Sequence, residues 1–175
     1  MTKNNACNDE IFPIVDENGD VIANLPRKLC HNGSKPLHPV VHLHIINSKN
    51  ELLLQKRRHD KDIQPGKWDT SVGGHIQYEE NVIEALIRES KEEAGIDIDS
   101  EKVIFIKKYI HESDVEKELV YTYIYRSDGR IVFQESEIEK VDFFDKIGIE
   151  RLILEEKTTP NFIKEFNILK ENNYI

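Results

Sequence analysis

Residues 73–96 read GGHIQYEENVIEALIRESKEEAGI, and this stretch decides how the rest of the chain is to be understood. Residues 80–94 have helical periodicity, and Gly95 follows at the position of a C-cap. At 100° per residue, Glu89, Glu92 and Glu93 fall within a sector of about 100°, while Ile83, Leu86, Ile87, Ser90 and Ala94 gather on another side. The apolar side packs. The acidic side is unfavourable as it stands, because its carboxylates meet the negative end of the helix dipole and Glu89 repels Glu93 four residues on. A solvated acidic face is the plainer explanation. A divalent cation is the sharper one, since it turns both penalties into attraction.

The spacing goes beyond three acids. From Gly74 the chain obeys G-x5-E-x7-R-E-x-x-E-E-x-G-I through Glu80, Arg88, Glu89, Glu92, Glu93, Gly95 and Ile96. With each residue type at roughly 7% usage, the seven glycine and charged positions coincide by chance on the order of once in 10⁸ starts. The segment resembles the Nudix box, and the chain is similar to the Nudix hydrolase superfamily. Ser90 departs from the family's aliphatic preference, on the packing face.

The resemblance implies an α/β fold, a Nudix-type α/β/α sandwich, and cleavage of a diphosphate linked to another group. It implies Mg²⁺, with Mn²⁺ as a substitute, held by the Gly73 carbonyl and the carboxylates of Glu92 and Glu93. Glu89 positions or deprotonates water beside them. Gly74, Glu80, Arg88 and Gly95 are then structural, with an Arg88–Glu80 ion pair bracing the box. The chemistry is consistent with this assignment, because Mg²⁺ takes oxygen ligands from a few carboxylates and substrate phosphates.

Working outward, IFPIV and VIANL flank an Asn18-Gly19 turn and predict a hairpin over roughly 11–25. VVHLHII alternates as a strand, with Val41, Leu43 and Ile45 on one side and His42 and His44 read as residues of the other face. ELLLQK, KVIFIKKYI, LVYTYIY and the run around VDFF read as further strands, and NFIKEFNILKENN after Pro160 reads as a helix. The expected order is hairpin, strands, helix, strands, helix, making a mixed sheet with helices on its faces. Residues 1–9 are expected to be a flexible N-terminus and 10–175 a single domain.

Outside the box, ELLLQKRRHDKDIQPGKWDTSVGGH and HNGSKPLH resemble the isopentenyl diphosphate isomerase branch of the superfamily. That resemblance implies a second divalent metal site at His31, His38, His75, Glu116 and Glu118, and diphosphate contacts from Arg57 and Lys61. In that branch a cysteine supplies one of the two groups that move protons across the alkene. The corresponding residue here is Gly73, and neither Cys7 nor Cys30 aligns with it. The branch's tryptophan clamp near the C-terminus also has no counterpart, Trp68 being the single tryptophan. Hydrolysis is therefore the favoured activity, isomerisation the alternative, and a ligand sensor without turnover a third reading.

The formal charge of -9 argues against binding a nucleic acid backbone, which needs a basic face. No apolar run suggests a membrane span, and two cysteines fit a reducing cytoplasm. The expected partner is a small-molecule diphosphate; the leaving group and oligomeric state are not legible.

Overall fold

The computed structural model describes residues 10–61 and 63–175. The expected flexible N-terminus, residues 1–9, lies outside the described residues, and so does Cys7. β1 (Ile11–Val15) and β2 (Val21–Pro26) form an antiparallel hairpin. In its turn the Asp16 carboxylate accepts from the amides of Asn18 at 2.8 Å and Asp20 at 3.0 Å, and Gly19 takes a φ of 95°. Phe12 and Ile14 pack inward with Cys30 of a short helix, α1 (Arg27–Cys30).

β3 (Leu37–Ile46) is the axis of the main sheet. It runs parallel to β8 (Lys117–Arg126) in a register from Leu37 opposite Lys117 to Ile46 opposite Arg126. On its other side lie β6 (Val72–His75) and the start of β4 (Leu52–Arg57), both antiparallel. β4 also pairs antiparallel with β5 (Trp68–Asp69) and β9 (Ile138–Phe144), while β7 (Ile104–Glu112) pairs with β8. Among the described residues this is a seven-stranded mixed sheet.

Period-two alternation sends successive side chains to opposite faces, so each face collects its own core. Val41, Leu43, Ile45 and Leu53 pack against Ala85 and Leu86 of α2 (Val82–Ala94). Ile46, Leu52, Leu54 and Ile124 pack against Phe162, Phe166 and Leu169 of α4 (Pro160–Glu171), with Ile149 of α3 (Lys146–Leu154) alongside. The result is an α/β/α sandwich with an N-terminal hairpin. No helix among the described residues is long and apolar enough to cross a membrane.

α2 begins two residues later than its periodicity suggests, because Asn81 caps it. The Asn81 side chain accepts from the amides of Ile83 and Glu84, both at 3.0 Å, and Glu84 returns a bond to the Asn81 amide at 2.9 Å. Gly95 ends the helix with a φ of 65°. α3 had no clear signal in the sequence. Its Ile147 and Leu154 are exposed, which blurs the apolar stripe that would reveal a helix of nine residues.

The α4 core carries a direct consequence for stability. Phe166→Ala, at a fully buried position, is expected to cost about 3–5 kcal/mol in denaturant unfolding, whereas Leu154→Ala, 84% exposed, changes it by less than about 0.5 kcal/mol.

Candidate active site

β6 and the last turns of α2 bring the box together. A β-carbon at residue 74 would overlap the Glu89 carboxylate, so only glycine lets that side chain lie across the strand. Glu93 Oε2 accepts from the Gly73 amide at 3.0 Å and from Gln55 Nε2 at 3.3 Å. Arg88 reaches Glu80 with two bonds of 2.8 Å, the His75 carbonyl at 2.9 Å, Glu89 at 2.7 Å and Glu92 at 3.3 Å. One guanidinium thus ties the loop before the helix to its acidic face, a planar multidentate task that suits arginine.

Burial raises Glu93 to about 8, with Glu89 adding repulsion against the pull of the Gly73 amide. Burial likewise raises Glu89 to about 7 despite Arg88 beside it. Glu92 differs, its side chain being 54% exposed and turned to Arg88. The three box carboxylates do not converge as a group of ligands, since Arg88 holds two of them and Gly73 the third. Two half-buried carboxylates, Glu89 sharing Arg88 and Glu93 with neutral donors alone, nevertheless fit a hard divalent cation.

A second cluster forms where the hairpin meets the sheet. His38 and Glu118 are register partners on β3 and β8, His75 ends β6, and His31 and Glu116 come from the adjoining loops. His31 Nε2 lies 3.1 Å from His75 Nε2 and 3.2 Å from Glu116 Oε2. His31, His38 and His75 form one group whose ligand atoms lie within 4.8 Å of one another, and His38, Glu116 and Glu118 form another. His38 Nδ1 lies 2.9 Å from the Pro36 carbonyl, which can only accept, so Nδ1 carries the hydrogen. Its Nε2 is left buried with no partner among the described residues.

Phe12 stacks on His75 with centroids 4.4 Å apart and lies within 6.1 Å of the His31 ring, walling the cluster with hydrocarbon. Burial accordingly lowers His31 to about 4, helped by His38 and Arg27, and lowers His38 and His75 too. Burial also raises Glu116 and Glu118. Neutral imidazoles with free nitrogens beside carboxylates that resist lone charge make a donor set suited to a transition metal or Zn²⁺.

The basic residues divide. Arg57, at the end of β4, donates to the Ile63 carbonyl at 3.1 Å and faces Asp69 at 3.5 Å, and its charge is felt at Glu116. Lys61 instead pairs with Glu137.

His42 and His44 prove to be more than strand-face residues. Glu165 of α4 is fully buried, and its Oε1 accepts from His42 Nδ1 at 3.0 Å, Tyr109 at 3.0 Å and Thr122 at 2.6 Å. Its Oε2 lies 3.1 Å from His44 Nε2. Burial opposes the charge on Glu165, yet the two imidazoles hold its carboxyl well below the usual range. Burial opposes charge on His42 as well, and Glu165 overcomes it, raising the ring to about 9. The sequence did hold one signal: Glu165 shares a helix stripe with Phe162, Phe166 and Leu169, where a carboxylate needs a buried partner.

Comparison with known proteins decides the family. The NUDIX domain family matches residues 36–166. The chain is a member of the Nudix family. Among its Nudix relatives, the isopentenyl-diphosphate Delta-isomerase 1 of Photorhabdus laumondii is 30% identical over 167 residues, covering 92% of this chain and 95% of the relative. An uncharacterized Nudix hydrolase of Clostridium acetobutylicum is 31% identical over 172 residues, covering 93% and 82%. A solved structure from Deinococcus radiodurans shares the fold with a TM-score of 0.72 at 22% identity, covering 86% of this chain and 92% of that one.

The half-buried acids make stability depend on pH. A carboxyl raised on folding contributes stability that is lost as pH rises toward its folded value, here about 8 for Glu93. Above about pH 6.5 the lowered histidines of the second cluster no longer oppose this trend. In chelator, the melting temperature is expected to fall between pH 6.5 and 8, and Glu93→Gln to flatten that slope in thermal denaturation followed by circular dichroism.

Proposed function

We propose that the protein is a Mg²⁺-dependent pyrophosphohydrolase that cleaves a nucleoside diphosphate linked to another moiety, or a similar organic diphosphate. The observation that carries this reading is the pair of half-buried carboxylates, Glu89 and Glu93, pressed against Gly74 and Gly73 with both groups raised. In this reading Gly73, Glu92 and Glu93 are ligands, Glu89 lies beside them as ligand or base, and Gly74, Glu80, Arg88 and Gly95 hold the shape. A cation bound there neutralises charge on the phosphoryl oxygens and lowers the pKa of an attacking water.

The rest falls to side chains. To serve as a ligand Glu92 would turn in from its exposed position, with Arg88 keeping Glu80 and releasing Glu92. Arg57 grips a phosphate oxygen through its fork of donors. Lys61, paired with Glu137 in the free protein, is the second diphosphate contact once it exchanges that carboxylate for a phosphate oxygen. The cluster of His31, His38, His75, Glu116 and Glu118 would hold a second divalent metal through its imidazole nitrogens and carboxylate oxygens.

Formation of the two phosphomonoester products from a panel of nucleoside diphosphate compounds, with Mg²⁺ or Mn²⁺, read as phosphate set free by added alkaline phosphatase, tests the proposal. Turnover of at least one member is expected, and Glu89→Gln should lower kcat by about 10²–10⁴-fold if Glu89 takes the proton. Silence across the panel from folded protein sinks the hydrolase reading, and a fully active Glu93→Gln removes that residue from the ligands.

The second cluster and the likeness to an isomerase along nearly the whole chain support one other reading, isomerisation of isopentenyl diphosphate. Incubation in heavy water separates the two. Deuterium appearing in the recovered diphosphate, read by mass spectrometry, favours the isomerase; unlabelled starting material excludes it.

A further inference from the structure

The network under the sheet includes one group with a free end. His42 sits opposite Gly73 on β6 and opposite Thr122 on β8. The ring edge bearing Cδ2 and Nε2 covers residue 73, where a β-carbon would come within 3.3 Å of Cδ2 and 3.4 Å of Nε2. Nδ1 faces the other way, 3.0 Å from Glu165 Oε1. An ionised carboxylate only accepts, so Nδ1 must donate, and turning the ring over would take a donor from a fully buried charge.

Nε2 is therefore the ring's one free polar atom. It has no hydrogen-bond partner among the described residues and, unlike Nε2 of His38 and His44, is not sealed from solvent. The His42 side chain keeps 12% exposure while Glu165 and His44 keep none. Its position matters as well. On β6, Gly73 belongs to the box and His75 to the second cluster, two residues or roughly 7 Å apart on one face. A diphosphate lying along this face of β6, from the Gly73 backbone toward His75, meets the edge of the His42 ring.

We propose that His42 contacts the bound diphosphate through Nε2, and that Glu165 is the positioning residue that aims it. This rests on the reading that the site takes an organic diphosphate. The Glu165 carboxylate has no lysine or arginine among its hydrogen-bond partners in the described residues, and the one imidazole that hydrogen-bonds it is His42, whose Nδ1 it fixes as a donor so that Nε2–H is left to meet a phosphate oxygen. His44, with Nδ1 at 3.2 Å from Thr70 Oγ1 and no exposure, stays behind as support.

The test uses methylenediphosphonate, a diphosphate that cannot be hydrolysed, with Mg²⁺ present. Long-range ¹H–¹⁵N spectra of the histidine rings should show the His42 Nε2 resonance moving on saturation of the wild-type protein, and not moving in Glu165→Gln. By calorimetry His42→Ala should bind the diphosphonate about 10- to 100-fold more weakly. Glu165→Gln should reproduce most of that loss, and His42→Gln, which restores a donor, should recover part of it. A role confined to packing would lower the melting temperature without moving the Nε2 resonance of the wild type.

An Nε2 resonance that stays still at saturation, or unchanged affinity in a folded His42→Ala, overturns the proposal. If His42→Ala fails to fold, the wild-type spectrum alone decides. The hydrolase reading fails separately: a protein that turns over no nucleoside diphosphate compound, yet whose His42 responds to the diphosphonate, loses the activity and keeps the contact.

Discussion

Two adjacent side chains are absent from β6, and the site depends on that double vacancy. Consecutive strand residues face opposite sides, so Gly73 and Gly74 open the sheet on both faces at one point. Above, the Glu89 carboxylate lies where a Gly74 β-carbon would be; below, the His42 ring lies against the corresponding space at Gly73. The Gly73 amide meanwhile holds Glu93. A side chain at residue 74 would displace the Glu89 carboxylate from the strand, and one at residue 73 would crowd the edge of the His42 ring.

The site is populated by charge kept short of its partners. Arg88 satisfies Glu80 fully but shares what remains between Glu89 and Glu92, and Glu93 has only neutral donors. In the second cluster the imidazoles are neutral and the carboxylates reluctant to ionise, because Phe12 and the hairpin exclude water. Both arrangements cost stability in isolation, and both are relieved by a cation. Glu165 is the contrast: more deeply buried than these, it has three donors on Oε1 and stays ionised, which makes it a fixed point rather than a receptive one.

The family relationship narrows the chemistry without choosing the leaving group. A Nudix hydrolase and an isopentenyl-diphosphate isomerase resemble the chain to nearly the same degree, 31% and 30%. The two activities need different things of one cavity, an activated water in one case and a flanking acid and base in the other. Shared architecture serves either, so the decision belongs to individual groups such as Glu89 and His42 and to what they touch.

Much of this protein is written locally. The box spacing, the C-cap at Gly95, the hairpin turn and the alternation of β3 are short-range features, fixed by helical and strand periods, and from them the family and the sandwich could be read before any coordinates. α3 escaped because two of its apolar residues face outward, and β5 and β6, of two and four residues, are too short to show a period. The Glu165 network escaped for another reason: His42, Tyr109, Thr122 and Glu165 lie on three strands and a helix up to 123 residues apart, and only their tertiary register brings them to one carboxylate. The sequence alone determined which groups the chain carries and which elements hold them; the packed sheet decided which were buried together, because desolvation and pairing act through space and not along the chain.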